Sequence, residues 1–215
     1  MKRFILTAVF LCFGLVLFAQ EGFGIMGGVI SSNAQLQDFD FDNVTQFRAG
    51  VAYKYPIAMG FAVQPEFAYS VKAATAAVDA AELANFRVKM GYLEAALQLQ
   101  WGPDLLLLRP YVLVEPFVGY ALNDRISFTM KDGPQWDAKD NYWDSIDRLE
   151  YGYAIGGGLE LFGKVQVSAK HFVNSGSLYK EQKTLSDLPV EAFVRKAFDN
   201  GNHFCGWAIS LAFFF

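Results

Sequence analysis

The sequence predicts an all-β protein, an eight-stranded antiparallel up-and-down transmembrane β-barrel. Three observations support this prediction. Apolar and polar residues alternate with a period of two through eight segments of the 215-residue chain. One row of each segment is bulky, apolar and rich in aromatic residues, whereas the opposite row carries small residues and charges. The connections between the segments alternate between long and short.

The chain begins with a segment of the targeting type. Lys2 and Arg3 precede the apolar stretch "FILTAVFLCFGLVLFA", which ends at Ala19. A basic start, a short apolar stretch and a small final residue are typical of a secretory signal peptide. We therefore expect residues 1–19 to be a signal peptide and residues 20–215 to form the barrel domain. An uncleaved anchor helix is the alternative, which the shortness of the apolar stretch disfavours.

The first four strands have the same division into two faces. "GFGIMGGVI" starts the barrel, and "QFRAGVAYKY" separates uncharged residues such as Phe47 and Val51 from a row that contains Arg48. "FAVQPEFAYSVK" repeats the division with Glu66 in the polar row, and "YLEAALQLQW" repeats it with Glu94. Successive side chains of a strand point to opposite faces, so each segment has one uncharged face.

The last four strands complete the barrel. "RPYVLVEPFVGYAL" and "RLEYGYAIGGGLEL" alternate in the same way, and the glycine run of the second permits bending of the barrel wall. "GKVQVSAKHF" follows a tight turn at Phe162 and Gly163. "HFCGWAISLAFFF" ends the chain, and its alternate residues from Cys205 to Phe215 form one bulky apolar row.

The direction of the apolar rows distinguishes two kinds of barrel. A soluble ligand-binding barrel has its apolar rows inside, whereas a membrane barrel has them outside. Tyrosines and tryptophans lie in these rows near strand ends, as expected of aromatic belts at two membrane interfaces. We therefore predict a membrane barrel, with a soluble periplasmic ligand-binding barrel as the alternative. The aromatic residues are Tyr53, Tyr55, Tyr69, Trp101, Tyr120, Tyr151, Tyr153 and Trp207.

The connection lengths indicate the membrane and the orientation. Barrels of the bacterial outer membrane have short periplasmic turns and longer extracellular loops. We therefore expect a Gram-negative outer membrane with both termini periplasmic, and outer-membrane lipid around the wall. The long connections are expected at 31–45, 73–85, 123–147 and 174–202, and the short ones at "PIAM", "GPDLL" and "FG".

Several segments resemble the small PorT-like outer-membrane β-barrel proteins of the Bacteroidota. They are "QPEFAYS", "YLEAALQL", "RPYVLVEPFVGYAL" and "AIGGGLEL", and the chain departs from the family's usual pattern at Ala96 and Glu115. The resemblance implies the barrel fold and leaves the activity open. Barrels in this location commonly end in an aromatic residue that the barrel-insertion machinery recognises. The resemblance therefore implies that Phe215 is an assembly signal and that this machinery is a partner.

The polar rows bring many charges into the lumen. A catalytic carboxylate pair would need two adjacent acids in different environments, and we interpret these residues instead as a plug of paired charges. Eight strands enclose a lumen just wide enough for side chains, so we expect no open channel. The charged residues are Glu66, Glu94, Glu115, Glu150, Glu160, Arg48, Lys72, Arg109, Arg148, Lys164 and Lys170.

The only enzymatic motif is weak. His171, Asn174 and Ser175 near a strand end resemble part of the site of outer-membrane lipid A deacylases, which place the serine two residues after the histidine. Val173 occupies that position here. We therefore predict no catalytic residue and no enzyme, and keep an outer-membrane lipid hydrolase as the alternative.

Metals, cofactors and nucleic acids are not expected. "DFDFDN" begins like a calcium loop, but Asn43 replaces the required glycine and Ala49 the bidentate glutamate. The chain has only two histidines, which cannot assemble a metal cluster. The net charge of −4 and the lack of a basic patch argue against nucleic acid.

The long connections are the expected binding surface, because a rigid barrel presents its loops. Aromatic residues lie beside carboxylates in the third one, a combination that binds sugars or peptides. We therefore predict a structural, adhesion or accessory protein with a protein or glycan partner at the extracellular loops. "SDLPVEAFVRKAFDNG" predicts a short helix in the last loop. The candidate binding residues are Trp136, Asp137, Asp140, Tyr142 and Trp143.

Overall fold

The computed structural model describes residues 22–35, 41–77, 83–130, 135–137, 148–175 and 203–215. The strands are β1 (Phe23–Gln35), β2 (Phe41–Tyr53), β3 (Tyr55–Pro56), β4 (Phe61–Ala77), β5 (Leu83–Trp101), β6 (Leu108–Met130), β7 (Gln135–Asp137), β8 (Leu149–Leu161), β9 (Val165–Asn174) and β10 (His203–Phe214). All eight predicted strands are confirmed. The predicted signal peptide and loop helix lie outside the described residues. No helix within those ranges has the length and apolar character to cross a membrane.

Eight strands form a closed antiparallel wall, with β3 and β7 as short additions that pair with β4 and β6. Consecutive wall strands pair with one another, and β1 pairs with β10 from Gly24 opposite Phe214 to Gln35 opposite His203. The final residue extends this pairing of β1 with β10, because the N–H of Phe215 donates to the carbonyl of Phe23 at 2.9 Å. The terminal aromatic row is thus held to its end by the seam that closes the barrel.

The two ends of the barrel differ. One end, here called the short-turn end, has tight turns at 57–60, 102–107 and 162–164. At the other end, the long-connection end, β4, β5 and β6 continue pairing as far as Ala77 and Met130, and β7 extends the same sheet. We call this projecting part of the sheet, residues 73–77, 83–91, 123–130 and 135–137, the ribbon.

The observed strands correct three of the predicted connections. Within 31–45, β1 continues to Gln35 and β2 begins at Phe41, and within 73–85 and 123–147 the ribbon includes 73–77, 83–85, 123–130 and 135–137. The stretch from Ala73 to Ala77 is mostly alanine and has no polar and apolar alternation, so the sequence shows no strand pattern there. A backbone ladder needs no such pattern once it is in register, because its hydrogen bonds join main-chain groups. The prediction from side-chain alternation therefore ended the strands too early.

The apolar rows face outward, as predicted. Phe47, Val114 and Ile209 are 52%, 47% and 53% exposed, whereas the residues beside them in sequence, such as Arg48 and Glu115, are only 3% exposed. A soluble barrel would have the opposite arrangement. The alternative of a soluble ligand-binding barrel is therefore wrong.

Aromatic residues form a belt near each end of the wall. At the short-turn end Phe61 lies beside Trp101, with ring centroids 6.4 Å apart, and Phe23 stacks on Phe215 at 6.3 Å. Towards the other end the exposed aromatics include Tyr120, Tyr151 and Trp207. Beyond this second belt Val71 and Cys205, which the alternation places outward, are buried. The lipid-facing rows of β4 and β10 therefore end at Tyr69 and Trp207.

One inward side chain differs from the small residues expected on the inner face of the last strand. Phe214 is buried with Met26, Ala52 and Ala212, and these four form an apolar cluster inside the short-turn end. A large ring fits here because Gly24, directly opposite in the register, has no side chain. A Cβ on Gly24 would come within 2.7 Å of the ring of Phe214.

The outward rows generate a prediction for Val114, an exposed residue in the middle of the apolar row of β6. Val114→Arg should destabilise the barrel by about 2–4 kcal/mol in a bilayer, since arginine is costly at the membrane midplane. Val114→Leu is the control and should change stability little. The measurement is urea unfolding in lipid vesicles, and equal stability of the two variants would contradict the outward assignment.

Candidate functional site: the lumen and the ribbon

Inward side chains fill the lumen in three connected layers of charges and amides. The central layer is built on Glu66, which accepts hydrogen bonds from Arg48 at 3.4 Å and from Lys170 at 3.3 Å. Lys170 also pairs with Glu115. The amide of Gln98 donates to both carboxylates, at 3.1 Å to Glu66 and 2.9 Å to Glu115. Every carboxylate of this layer therefore has a cation and an amide donor.

The layer towards the long-connection end is centred on Lys72. Its ammonium group lies 2.7 Å from Glu94 and 2.7 Å from Glu150. The rings of Phe117 and Phe172 pack around the same nitrogen, with centroids at 4.7 and 4.9 Å. Aromatic faces attract a cation most strongly where water is excluded. Two carboxylates and the aromatic rings thus hold Lys72 on the long-connection side of the central layer.

Neutral side chains complete the partners of these two acids. Ser70 donates to Glu94 at 2.6 Å, and the amide of Asn174 donates to Glu150 at 2.6 Å. A buried ion pair is favourable only if its remaining lone pairs are also satisfied. This layer meets that requirement.

The layer at the short-turn end is centred on Glu160, which pairs with Lys54 and with Arg109 at 3.4 Å. Arg109 also donates to Gln100 at 2.9 Å and to the carbonyl of Gly60 at 2.9 Å. Its guanidinium therefore ties the wall to the turn that precedes β4. The amide of Gln100 continues the chain of hydrogen bonds towards the central layer.

The ion-paired network inside the described lumen is neutral and closed. The cavity beside Arg48 and Lys72 has a volume of about 20 Å³, which is room for about one water molecule. No continuous aqueous path fits a lumen filled to this degree. The cations are Arg48, Lys54, Lys72, Arg109 and Lys170, and the carboxylates are Glu66, Glu94, Glu115, Glu150 and Glu160.

The predicted plug of paired charges is present, with three corrections. Lys164 lies in an exposed turn outside the lumen, and Arg148 is half-buried just before β8. Lys54, omitted from the predicted set of charges, pairs with Glu160. The glutamines were also left out of that set, although their place in the polar rows of "FAVQPEFAYSVK" and "YLEAALQLQW" could have identified them.

The lumen offers little for chemistry. Each carboxylate named above has a cationic partner, which is the arrangement of a structural ion-pair network. Among the residues that the structure describes, His, Cys, Asp and Glu side chains do not group in threes in a way that could hold a metal ion.

The deacylase-like motif does not assemble. His171 belongs to the outward row of β9 and packs edge-on against Trp207, with ring centroids 5.2 Å apart. Asn174 is buried and bonded to Glu150 in the lumen, and Ser175 is exposed after the end of the strand. Nucleophile and base must lie within hydrogen-bond reach of each other. Four residues of extended chain separate His171 from Ser175 by about 13 Å, and Asn174 faces the lumen instead.

The predicted binding residues fall partly outside the described residues. Trp136 and Asp137 belong to β7, where they pair with Phe128 and Ser127 of β6 at the edge of the ribbon. Asp140, Tyr142 and Trp143 lie beyond the described ranges. Phe215, the predicted assembly signal, lies at the seam and makes ring contacts with Phe23 and Phe213.

Comparison with known proteins identifies the family. The model of the outer membrane protein beta-barrel domain family matches residues 18–179, which is more than half of the chain. The chain belongs to this family. It is therefore an outer-membrane β-barrel protein, as the outward apolar rows and the closed wall require. No curated protein matches its sequence.

Three solved structures show the range of similar barrels. Neisserial surface protein A is 10% identical, with a TM-score of 0.44 over 90% of this chain and 97% of that one. Ail, the attachment invasion locus protein of Yersinia pestis, is 13% identical, with a TM-score of 0.43 over 91% and 100%. The N-terminal barrel domain of Pseudomonas aeruginosa OprF is 11% identical, with a TM-score of 0.36 over 91% and 98%. These values are low, so the assignment rests on the family match and the barrel geometry.

The central layer generates a prediction for Lys170. Lys170→Met should cost about 3–5 kcal/mol, because it leaves Glu115 as a buried charge without its cation. The double variant Lys170→Met with Glu115→Gln should recover most of this loss, since glutamine is neutral and can still bond to Gln98. Urea unfolding of both variants in lipid vesicles measures the difference. A double variant no more stable than the single one would contradict the pairing.

Proposed function

We propose that this outer-membrane barrel is a non-enzymatic protein of structural, adhesion or accessory type, whose long-connection end binds a partner outside the cell. One observation carries the proposal. Ion-paired side chains fill the described lumen, and the ribbon continues the wall beyond the aromatic belt at the long-connection end. A sealed barrel is unsuited to passive transport, and its paired carboxylates are unsuited to hydrolysis. The projecting sheet is the remaining feature that a structural anchor alone would not need.

The ribbon has a charge pattern that supports an anionic partner. Lys89 of β5 lies opposite Arg125 of β6, and Arg87 lies opposite Ser127 two residues further along. Like charges directly opposite each other in a sheet are destabilising unless a counter-charge is near. Asp137 of β7, opposite Ser127, supplies one such charge. An acidic group of a ligand would supply another.

The candidate partner is a glycan with acidic groups. The basic positions just described share one face of the ribbon, and Trp136, opposite Phe128 of β6, lies at the adjacent edge on the other face. Aromatic rings stack on sugars, and cations pair with sulfate, phosphate or carboxylate groups. The predicted residues Asp140, Tyr142 and Trp143 follow Trp136 within seven positions along the chain and belong to the same proposed surface. A protein partner is the other class that these residue types fit.

Further parts of the proposal concern targeting and relatedness. The segment 1–19 serves as a signal peptide, the short-turn end and both termini lie in the periplasm, and the insertion machinery recognises Phe215. Within the family, the motifs from Gln64 to Ser70 and from Arg109 to Leu122 support a relationship to PorT-like proteins. The alternation of short turns with projecting hairpins supports the orientation.

The orientation predicts where epitope tags can be detected. A tag inserted at Gly176, just after β9, should be labelled by antibody on intact cells. A tag at Pro103, in the exposed turn between β5 and β6, should be labelled only after permeabilisation. Heat-modifiable gel mobility verifies that both variants are folded. Reversed labelling would contradict the proposed orientation.

The proposed binding surface predicts a specific loss of glycan binding. Lys89→Gln with Arg125→Gln, which removes two charges from one face of the ribbon, should weaken binding of sulfated or phosphorylated glycans to the barrel in lipid nanodiscs about tenfold, or about 1.4 kcal/mol. Lys164→Gln is the control, because it removes a lysine from the opposite end. Binding is measured on immobilised glycans, with uncharged glycans in parallel. Unchanged binding by the double variant, or no binding by the native protein, would refute the glycan proposal.

A further inference from the structure

All three short turns place a bulky apolar residue where glycine or asparagine is usual. The residues are Met59, Leu106 and Phe162, with φ angles of 56°, 40° and 55°. Left-handed backbone is uncommon for residues other than glycine, asparagine and aspartate because Cβ is crowded by the backbone. The recurrence at every short turn indicates a common requirement for an apolar side chain at the tip.

The turn geometry shows that polar sequences would fit better. Met59 with Gly60, and Phe162 with Gly163, are the central pairs of two-residue turns in which both residues have positive φ. The turns are closed by hydrogen bonds of 3.0 Å, from Phe61 to Ala58 and from Lys164 to Leu161. Asn-Gly and Asp-Gly are the pairs that favour this conformation. Methionine and phenylalanine replace the asparagine here.

The tip side chains make little contact with the protein. Met59 is 90% exposed, Leu106 is 103% exposed and Phe162 is 68% exposed. Ile57 and Leu107 beside them are also exposed. In water this arrangement would be unfavourable on two counts, because the backbone is strained and apolar surface stays hydrated. An apolar environment outside the protein would remove the second cost.

The tips continue a surface that already faces lipid. Phe61, two residues after Met59, belongs to the aromatic belt with Trp101, and Leu106 follows Trp101 by five residues. Phe162 directly follows Leu161, the last residue of β8. Lys164 is exposed beside it, and a lysine at a membrane interface can place its charge at lipid phosphates while its stem covers apolar surface. The apolar outer surface of the wall therefore continues onto the turns at the short-turn end.

We propose that the three short turns insert their apolar tips into the lipid leaflet at the short-turn end and so set the depth of the barrel. The occupant of this surface is the interfacial layer of phospholipid, where amphipathic and apolar groups commonly anchor membrane proteins. Asparagine at these tips would fit the backbone better but would be too polar to insert into this layer. This inference rests on the membrane barrel itself and is independent of the proposed glycan binding.

Spin labelling tests the insertion directly. Cysteines at Met59, Leu106 or Phe162, in a chain with Cys12 and Cys205 replaced by alanine, carry a nitroxide in phosphatidylethanolamine and phosphatidylglycerol vesicles. Each tip label should collide several-fold more with oxygen, relative to a water-soluble nickel chelate, than a label at Ser175, which is exposed just after β9 at the long-connection end. Equal chelate access at the tips and at Ser175 would overturn the proposal. Tips shielded only in native membranes would assign the surface to a protein partner and also overturn it.

A triple variant tests the same inference through stability. Asparagine at Met59, Leu106 and Phe162 relieves the left-handed backbone, so the unfolding midpoint in detergent micelles should be kept or raised. The midpoint in vesicles should fall relative to the native chain, because the apolar tips are lost. Met59→Leu with Phe162→Leu is the control, and should keep the vesicle midpoint. A triple variant stabilised equally in both media would refute the insertion.

Discussion

The pairing of β1 with β10 is the constraint on which the structure depends, because lipid offers no partner for an open sheet edge. The seam extends over the whole of β1 and reaches the last residue through Phe215 and Phe23. It also brings Phe214 over Gly24, so the strand that closes the wall fills the lumen at the same end.

Closure makes the interior a place where charges must balance. A lumen just wide enough for side chains hydrates an unpaired carboxylate poorly, so each acid of the network has a cation, and aromatic rings pack around Lys72. The same packing bonds the charged side chains of the described lumen to one another, so the proposed binding is assigned to the ends of the barrel.

The two ends meet different surroundings and are built differently. In the ribbon the strands continue to pair beyond the aromatic belt at the long-connection end. Basic positions such as Lys89 and Arg125 lie opposite each other there. The short-turn end instead exposes apolar tips such as Leu106 on strained backbone. Charged positions on the ribbon at one end and apolar turns at the other would together hold the barrel at one depth.

The eight strands, the outward apolar rows and the charged lumen could be predicted from the sequence, because alternation with a period of two indicates which side chains share a face. The sequence did not show that Phe214 fills the short-turn end of the lumen, that Lys54 belongs to the ion-pair network or that the ribbon extends to Met130. Those features depend on which strands are neighbours and in which register. Only the tertiary structure decides this, because backbone pairing continues through "AATAA", where the side chains have no pattern, and ion pairs such as that of Lys54 with Glu160 join residues far apart in sequence.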